Sequence, residues 1–209
     1  MKLQGEYRFN GPREEVWKLM RDPEALAAAL PGTQSLEQVG ENEYAGKMHV
    51  RVGPVSGLFA GRVKISDEVP PERYTLSVDG RGAPGFARGT GQVQLEAQED
   101  GTTLLRYEGD LQVGGKLASV GQRLLDSVSK SMTRQGLESL NNALQARLKG
   151  EEEGVEVTYT PPSEAAFAAG VAKDLAAEIF SPAYRDVWRM VIIVLLAFGA
   201  GYLLGRRRK

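Results

Sequence analysis

The sequence predicts an α+β domain in which a curved antiparallel sheet of seven strands wraps one long C-terminal helix. Three observations carry this expectation. One strand leads directly into two short helices, period-two alternation then fills residues 33–113, and a single apolar stripe at helical spacing fills residues 116–148.

Residues 2–10 alternate as a first strand and end at Asn10-Gly11. Pro12 stands where a helix's first turn tolerates proline, and Glu14 and Glu15 suit the dipole there. Val16, Leu19 and Met20 give that helix its apolar face. Asp22-Pro23 stops it and starts a second, with Asp22 as cap and Pro23 in the first position, running through Leu26 and Leu30 to Pro31-Gly32. The alternation follows. Tyr44, Met48, Val50 and Val52 oppose Lys47, His49 and Arg51, and Phe59, Val63 and Ile65 oppose Arg62 and Lys64. Tyr74, Leu76 and Val78 oppose Arg73 and Asp79, Val93 and Leu95 oppose Gln92, Gln94 and Glu96, and Tyr107, Leu111 and Val113 oppose Arg106, Glu108 and Asp110. Such a pattern gives each strand one apolar and one wet face. Turn residues at Gly40-Glu41-Asn42, Gly53-Pro54, Pro70-Pro71, Pro84-Gly85 and Asp100-Gly101 cut the stretch into six strands. Leu117, Val120, Leu124, Val128, Met132, Leu140, Leu144 and Leu148 then line one face of the long helix, and Gly150 closes a domain of residues 1–149.

The interior admits two readings. Gly46, Gly61, Gly89, Gly91 and Gly109 share inward parity with Phe59, Tyr74, Val93 and Tyr107, while Gly121, Ser131 and Gly136 fall on or near the helix's inner side. Small residues on both walls predict an apolar cavity. Leu19 and Met20 of the first helix, Met48, Val50, Phe59 and Val63, and Tyr74, Leu76, Gly89, Gly91 and Val93 would line it. Tyr107, Leu111, Val120, Leu124, Val128, Met132 and Gly136 complete the lining. Gly91→Leu and Gly136→Phe would then fill a void without loss of stability. The alternative is that the glycines only let the sheet curve.

Composition excludes several classes. The net charge is −1, and four of the positive charges sit on Arg206, Arg207, Arg208 and Lys209, so the remainder is acidic and unsuited to nucleic acid. There is no cysteine, which removes disulfides and thiolate metal sites. The first residues contain no apolar signal segment, so a cytoplasmic domain is expected. His49 is the single histidine and faces outward by parity, without partners for a metal site or a triad. Gly80, Gly82 and Gly85 spell a dinucleotide fingerprint, but Pro84 interrupts it and a strand follows, so a loop is expected. Asp67-Glu68 falls in a loop beside Pro70-Pro71, and no carboxylate lies on the apolar face. The chain therefore reads as a binder and not an enzyme, with no metal and no covalently bound cofactor.

Residues 150–186 read as a tether that contains a possible amphipathic helix at 163–180, on which Phe167, Val171, Leu175 and Ile179 recur every fourth position. Residues 187–205 then form a predicted membrane anchor. Met190 to Gly205 carries no charge, Arg189 can snorkel, and Trp188 and Tyr202 bracket the segment as interfacial aromatics. As a helix it nears the ~30 Å hydrocarbon core of a bilayer. The basic tail, residues 206–209, suits anionic headgroups. The domain would thus sit at the cytoplasmic face of the membrane.

Several stretches together resemble the G-subunit (CoxG) family of carbon monoxide dehydrogenase, within the START and Bet v 1-like superfamily. They are Asp22-Pro23-Glu24 through Leu30-Pro31-Gly32, Tyr44 through Val52-Gly53-Pro54 with Gly61, Gly85-Phe86, and Gly114-Gly115-Lys116-Leu117-Ala118 through Gly121-Gln122-Arg123-Leu124. The resemblance covers residues 2–148. It implies a helix-grip fold with an internal cavity and an association with molybdenum hydroxylase-type CO dehydrogenases at the membrane. It also implies a role in passing reducing equivalents to membrane quinone. Gln135-Gly136-Leu137 stands where the family often has bulky aromatics. The expected cargo is an isoprenoid quinone, menaquinone or ubiquinone, with Tyr74 or Tyr107 meeting its carbonyl. The alternative is a structural recruiter that tethers the dehydrogenase without carrying a ligand. An aromatase/cyclase-like enzyme is disfavoured by the lack of inward titratable residues.

Overall fold

The computed structural model describes residues 1–30 and 32–153, with side chains through Gly150, together with the helical positions Ala169 and Lys173. Two compact units divide the chain, Met1–Val171 and Ala172–Lys209, and the described domain belongs to the first. No helix among the described residues is long and apolar enough to cross a membrane. The predicted anchor and basic tail lie outside those residues, as does the tether beyond Glu153 except at Ala169 and Lys173.

The chain runs β1 (Lys2–Phe9), α1 (Arg13–Leu19), α2 (Pro23–Ala29), β2 (Thr33–Gly40), β3 (Glu43–Val52), β4 (Val55–Val69), β5 (Arg73–Gly82), β6 (Gly85–Ala97), β7 (Thr103–Gly115) and α3 (Gln122–Glu153). Every turn between β2 and β7 falls at a break that the turn residues mark. The sheet order is β1-β7-β6-β5-β4-β3-β2 with antiparallel pairing throughout. The first strand thus pairs with the last, and the two edges of the sheet are β1 and β2.

Local chemistry starts each helix. Pro12 is extended ahead of α1, whose first turn holds Glu14 and Glu15. The Asp22 carboxylate accepts from the backbone N–H groups of Glu24 at 2.9 Å and Ala25 at 3.2 Å, and from the guanidinium of Arg147 on α3. Burial alone would raise the Asp22 pKa, but Arg147 and the two backbone donors hold it below the usual carboxylate range. Asp22→Ala should therefore cost about 1 kcal/mol as a lost cap. A depressed carboxyl stabilises the fold above its unfolded pKa of about 4 and loses that contribution as pH falls through its folded value. The wild-type advantage should then be full at pH 7 and fade below about pH 4. Urea denaturation of both proteins across that window checks it, and an advantage constant with pH would remove the carboxylate from the explanation.

One expected element is corrected. The long helix does not begin at residue 116. Lys116–Val120 is a short 3₁₀ turn, Gly121 follows with φ +91°, a conformation that strains any residue with a Cβ, and α3 starts at Gln122. The helix then runs through Gly150 to Glu153, past the expected end. Because the phase restarts at Gln122, the buried stripe is Leu125, Val128, Leu137, Leu140, Ala143 and Leu144, and Val120 and Leu124 are only half-buried.

Packing falls into two regions. The main core gathers Phe9, Val16, Leu19, Tyr44, Ile65, Tyr74, Val93, Leu95 and Leu105 against Leu137, Leu140 and Leu144 of α3, at the end where α1 and the β2–β3, β4–β5 and β6–β7 turns lie. A second set of buried residues, Val52, Phe59, Leu117, Leu125 and Val128, stands outside that core. It closes the opposite end, where the Leu117 N–H donates to the Pro84 carbonyl at 2.9 Å in the β5–β6 hairpin.

Candidate functional site

Between these two closed ends the concave face is not sealed. Leu76 and Tyr107 are only half-buried, and Val78, paired with Val63 and Gly89 on the inward-facing row, is 37% exposed. The space above them is a cleft of about 170 Å³. Its inward side chains are Leu3, Leu76, Val78, Val93, Tyr107 and Leu111, over a floor that includes Gly89, Gly91 and Gly109. A second space of about 370 Å³ shares Leu3 and Tyr107 with it and lies between β1 and α3, among Lys2, Gln4, Gln122, Asp126, Lys130 and Thr133. An apolar pit thus leads to a polar mouth. Tyr107 marks the boundary. Its ring lies over Gly5 of β1, where a Cβ would stand 2.5 Å from the phenol oxygen, and burial raises its pKa above the ordinary value.

The floor resolves the question of the glycines. A Cβ on Gly89 would stand 2.1 Å from the Asp110 carbonyl oxygen, and one on Gly109 would stand 2.6 Å from that of Thr90. Gly46 and Gly61 meet backbone in the same way. These positions let neighbouring strands approach at a tight bend, so at them the curvature reading holds. The cleft is a by-product of it: where no side chain fits, the wall is bare backbone. Gly136 is different again. A Cβ there would lie 3.5 Å from Leu30 Cδ2, so it seats the end of α2 against α3 and lines no void. The expectation that Gly136→Phe fills a cavity is therefore withdrawn.

The predicted lining residues scatter across three places. Leu76, Gly89, Gly91, Val93, Tyr107 and Leu111 come together at the cleft. Leu19 and Tyr74 belong to the main core, with Met20 and Val63 packed against it. Phe59 and Val128 belong to the second buried set, and Leu124 covers the Gly53 turn, 3.0 Å from a Cβ built there. Met48, Val50 and Met132 are half-buried on β3 and α3, and Val120 is half-buried in the 3₁₀ turn. Sequence reasoning left out Leu3 and Val78, although both have inward parity. It also left out every residue of the mouth, for which no local signal exists.

Tyr74 cannot be the hydroxyl at the cleft. Its ring meets Trp17 edge-on at 5.5 Å inside the core, and burial pushes its phenol well above the usual range. Nearby, Arg21 binds Glu68 and donates to Asn42 Oδ1 at 2.7 Å, while the Tyr44 hydroxyl donates to the Arg21 carbonyl at 3.0 Å. Asp67 and Glu68 are thus part of β4, at a bulge between Ser66 and Val69, and not in a loop. The Gly80–Gly85 segment is the β5–β6 hairpin, and His49 is exposed on the outer face of β3. Among the described residues no group of His, Cys, Asp or Glu side chains could hold a metal ion.

A curved sheet gripping a C-terminal helix over an apolar cleft defines a START-like helix-grip protein. Within that class the chain belongs to the CoxG family, the G-subunit family of carbon monoxide dehydrogenase, whose family model matches residues 5–145. A conserved protein from Geobacillus kaustophilus is 32% identical, with TM-score 0.67 over 69% of this chain and 95% of its own. The Zhui aromatase/cyclase from Streptomyces shares the fold at 14% identity and TM-score 0.53, over 71% of this chain and 95% of its own. A START superfamily protein from Mycobacterium smegmatis does so at 11% identity and TM-score 0.53, over 69% and 97%. No curated protein matches the chain.

Proposed function

We propose that this protein is a non-catalytic carrier of a lipophile, an isoprenoid quinone, moving between the membrane and a CO dehydrogenase-type molybdenum hydroxylase. Residues 187–209 hold it at the cytoplasmic face of the membrane. The observation that carries the reading is the unsealed cleft, whose inward side chains are all apolar except Tyr107. A prenyl chain leaving hydrocarbon for water loses about 0.8 kcal/mol per methylene, so a soluble enzyme reaches such a molecule only through a protein that shields it. Tyr107 supplies the one hydroxyl positioned to donate to a quinone carbonyl. No carboxylate, histidine or lysine side chain points into the cleft, and a phenol held above its ordinary pKa is a poor general base at neutral pH. Both points support transport over turnover.

The size of the cleft favours a second reading. Small-molecule pockets run to roughly 300–1,000 Å³, and about 170 Å³ seats a ring or the start of a chain, not a long tail. On that reading the domain recruits the dehydrogenase to the membrane and carries nothing. Organic extraction of the purified full-length protein, followed by mass spectrometry, separates the two. A near-stoichiometric quinone is expected, and an extract free of quinone would leave recruitment standing. Reconstitution adds an independent arm: the dehydrogenase should reduce long-chain quinone in liposomes only with this protein present. An equal response to a water-soluble analogue, with and without it, would sink the carrier.

A further inference from the structure

We propose that the outer face of β3–β5 is a docking surface for an anionic lipid bilayer. This rests on the membrane part of the function above and not on the cargo. The outer face carries a hollow of about 570 Å³ whose floor includes Ala45 and Ala60 and whose rim includes Lys47, Arg62 and Arg81. Strand register explains the shape. Lys47 stands opposite Ala60, and Ala60 opposite Arg81, so two cations flank a methyl group in one row. Strand spacing sets them about 10 Å apart. Arg62 lies two residues further along the same face of β4. A phosphate above Ala60 would meet all three.

Carboxylates are present there too. Glu43 takes Arg62 at 2.8 Å, Asp79 takes Arg81 at 3.1 Å, and Glu37 lines the hollow. Exposed pairs of this kind are weak and exchange readily for another anion. The balance nevertheless favours cations, because Arg51, Lys64 and Arg88 are also exposed on this side of the sheet. Around the edge, the outer face of β1 and β7 carries Glu6, Glu108 and Asp110 against Lys2 and Arg106. In a chain of net charge −1 the positive charge is thus gathered on one half of the convex surface.

One apolar group separates this face from an ordinary solvated one. Leu58 is 43% exposed on the outside of β4, opposite His49 and two residues from Ala60. A leucine standing among cations suits a bilayer interface, where the side chain enters the acyl boundary while Lys and Arg stay among headgroups. An acidic protein partner would use the cations but gives that leucine no comparable hydrocarbon.

Flotation of the full-length protein with phosphatidylcholine vesicles, with and without phosphatidylglycerol, tests the proposal. Lys47→Gln, Arg81→Gln and Arg88→Gln are combined in one variant, and the four basic residues 206–209 are changed to glutamine in another. With about fivefold lost per cation at an anionic surface, the triple variant should lose its preference for phosphatidylglycerol by on the order of a hundredfold. The tail variant should keep a salt-sensitive preference. A triple variant with wild-type preference overturns the proposal while leaving a C-terminal anchor intact. Wild-type protein that binds both vesicle types equally overturns it too. Protein that binds neither removes the membrane from the function as well. If the triple substitution weakens capture of the dehydrogenase and leaves vesicle binding unchanged, the face belongs to a protein partner and the bilayer assignment fails.

Discussion

Phe9→Ala is expected to destabilise the domain by about 3–5 kcal/mol. Phe9 has no exposed surface and packs edge-on to Tyr7, with ring centroids 5.0 Å apart. It ends β1 at the point where the chain crosses from the sheet towards α1 and α3. The groups around it cannot collapse into a void, because they are tied in place. Asn10 N–H donates to Asn141 Oδ1 of α3 at 2.8 Å, and the buried Thr103 hydroxyl donates to the Gly11 carbonyl at 2.7 Å. A Cβ at Gly11 would approach Leu144 Cδ2 to 2.9 Å, so helix and strand already touch. A rigid surround leaves the full cavity term in place. Against a typical total of roughly 5–15 kcal/mol, the variant should be near the limit of folding at 37 °C. Urea denaturation measures it, with Leu58→Ala on the outer face as a control expected within about 0.5 kcal/mol of wild type. A loss below about 1.5 kcal/mol for Phe9→Ala would mean that this junction relaxes and is not the tie described.

Val78→Phe is expected to lower occupancy of the cleft by a hydrophobic ligand at least tenfold while leaving the melting temperature close to wild type. Val78 points inward yet is 37% exposed, so a larger side chain there meets open space before it meets the core. Gly89→Ala should do the reverse. Its new methyl would be 2.1 Å from the Asp110 carbonyl, and the strands would have to part, at a cost of about 1–3 kcal/mol or more. Gly136→Phe should also destabilise, because Leu30 occupies the space it needs. Paired thermal melts and quinone extraction distinguish the effects. If Val78→Phe keeps full quinone occupancy, the ligand lies elsewhere. If Gly89→Ala melts like wild type, the close strand approach is not a constraint.

Much of the fold is legible because its signals are local. Asp22-Pro23 starts a helix wherever it occurs, since the carboxylate caps the next two N–H groups and the ring presets φ. Alternation along Tyr74–Val78 or Val93–Leu95 reports which face is wet without reference to any partner. The five turn clusters divide the meander because glycine, proline and asparagine favour bends within a few residues of themselves. The candidate site is less legible. Parity places Leu76, Gly89, Gly91, Tyr107 and Leu111 inside, but it cannot say which inward residues are sealed and which stay open.

That difference was decided by contacts between residues far apart in sequence. Tyr74 and Tyr107 have the same parity; one is covered by Trp17 from α1, and the other lies beside an edge strand where Gly5 leaves room. The pairing of β1 with β7, some hundred residues away, creates the mouth between β1 and α3 that no window of sequence contains. The glycines look like missing side chains in the sequence, and in the folded sheet they are places where the adjacent backbone stands too near for a Cβ. Periodicity and capping depend on bonded neighbours, so the sequence alone determined the elements and their wet and dry faces. Close approach, burial and the open middle of the sheet depend on how curvature brings distant strands together, so only the tertiary structure decided where the cleft lies and what bounds it.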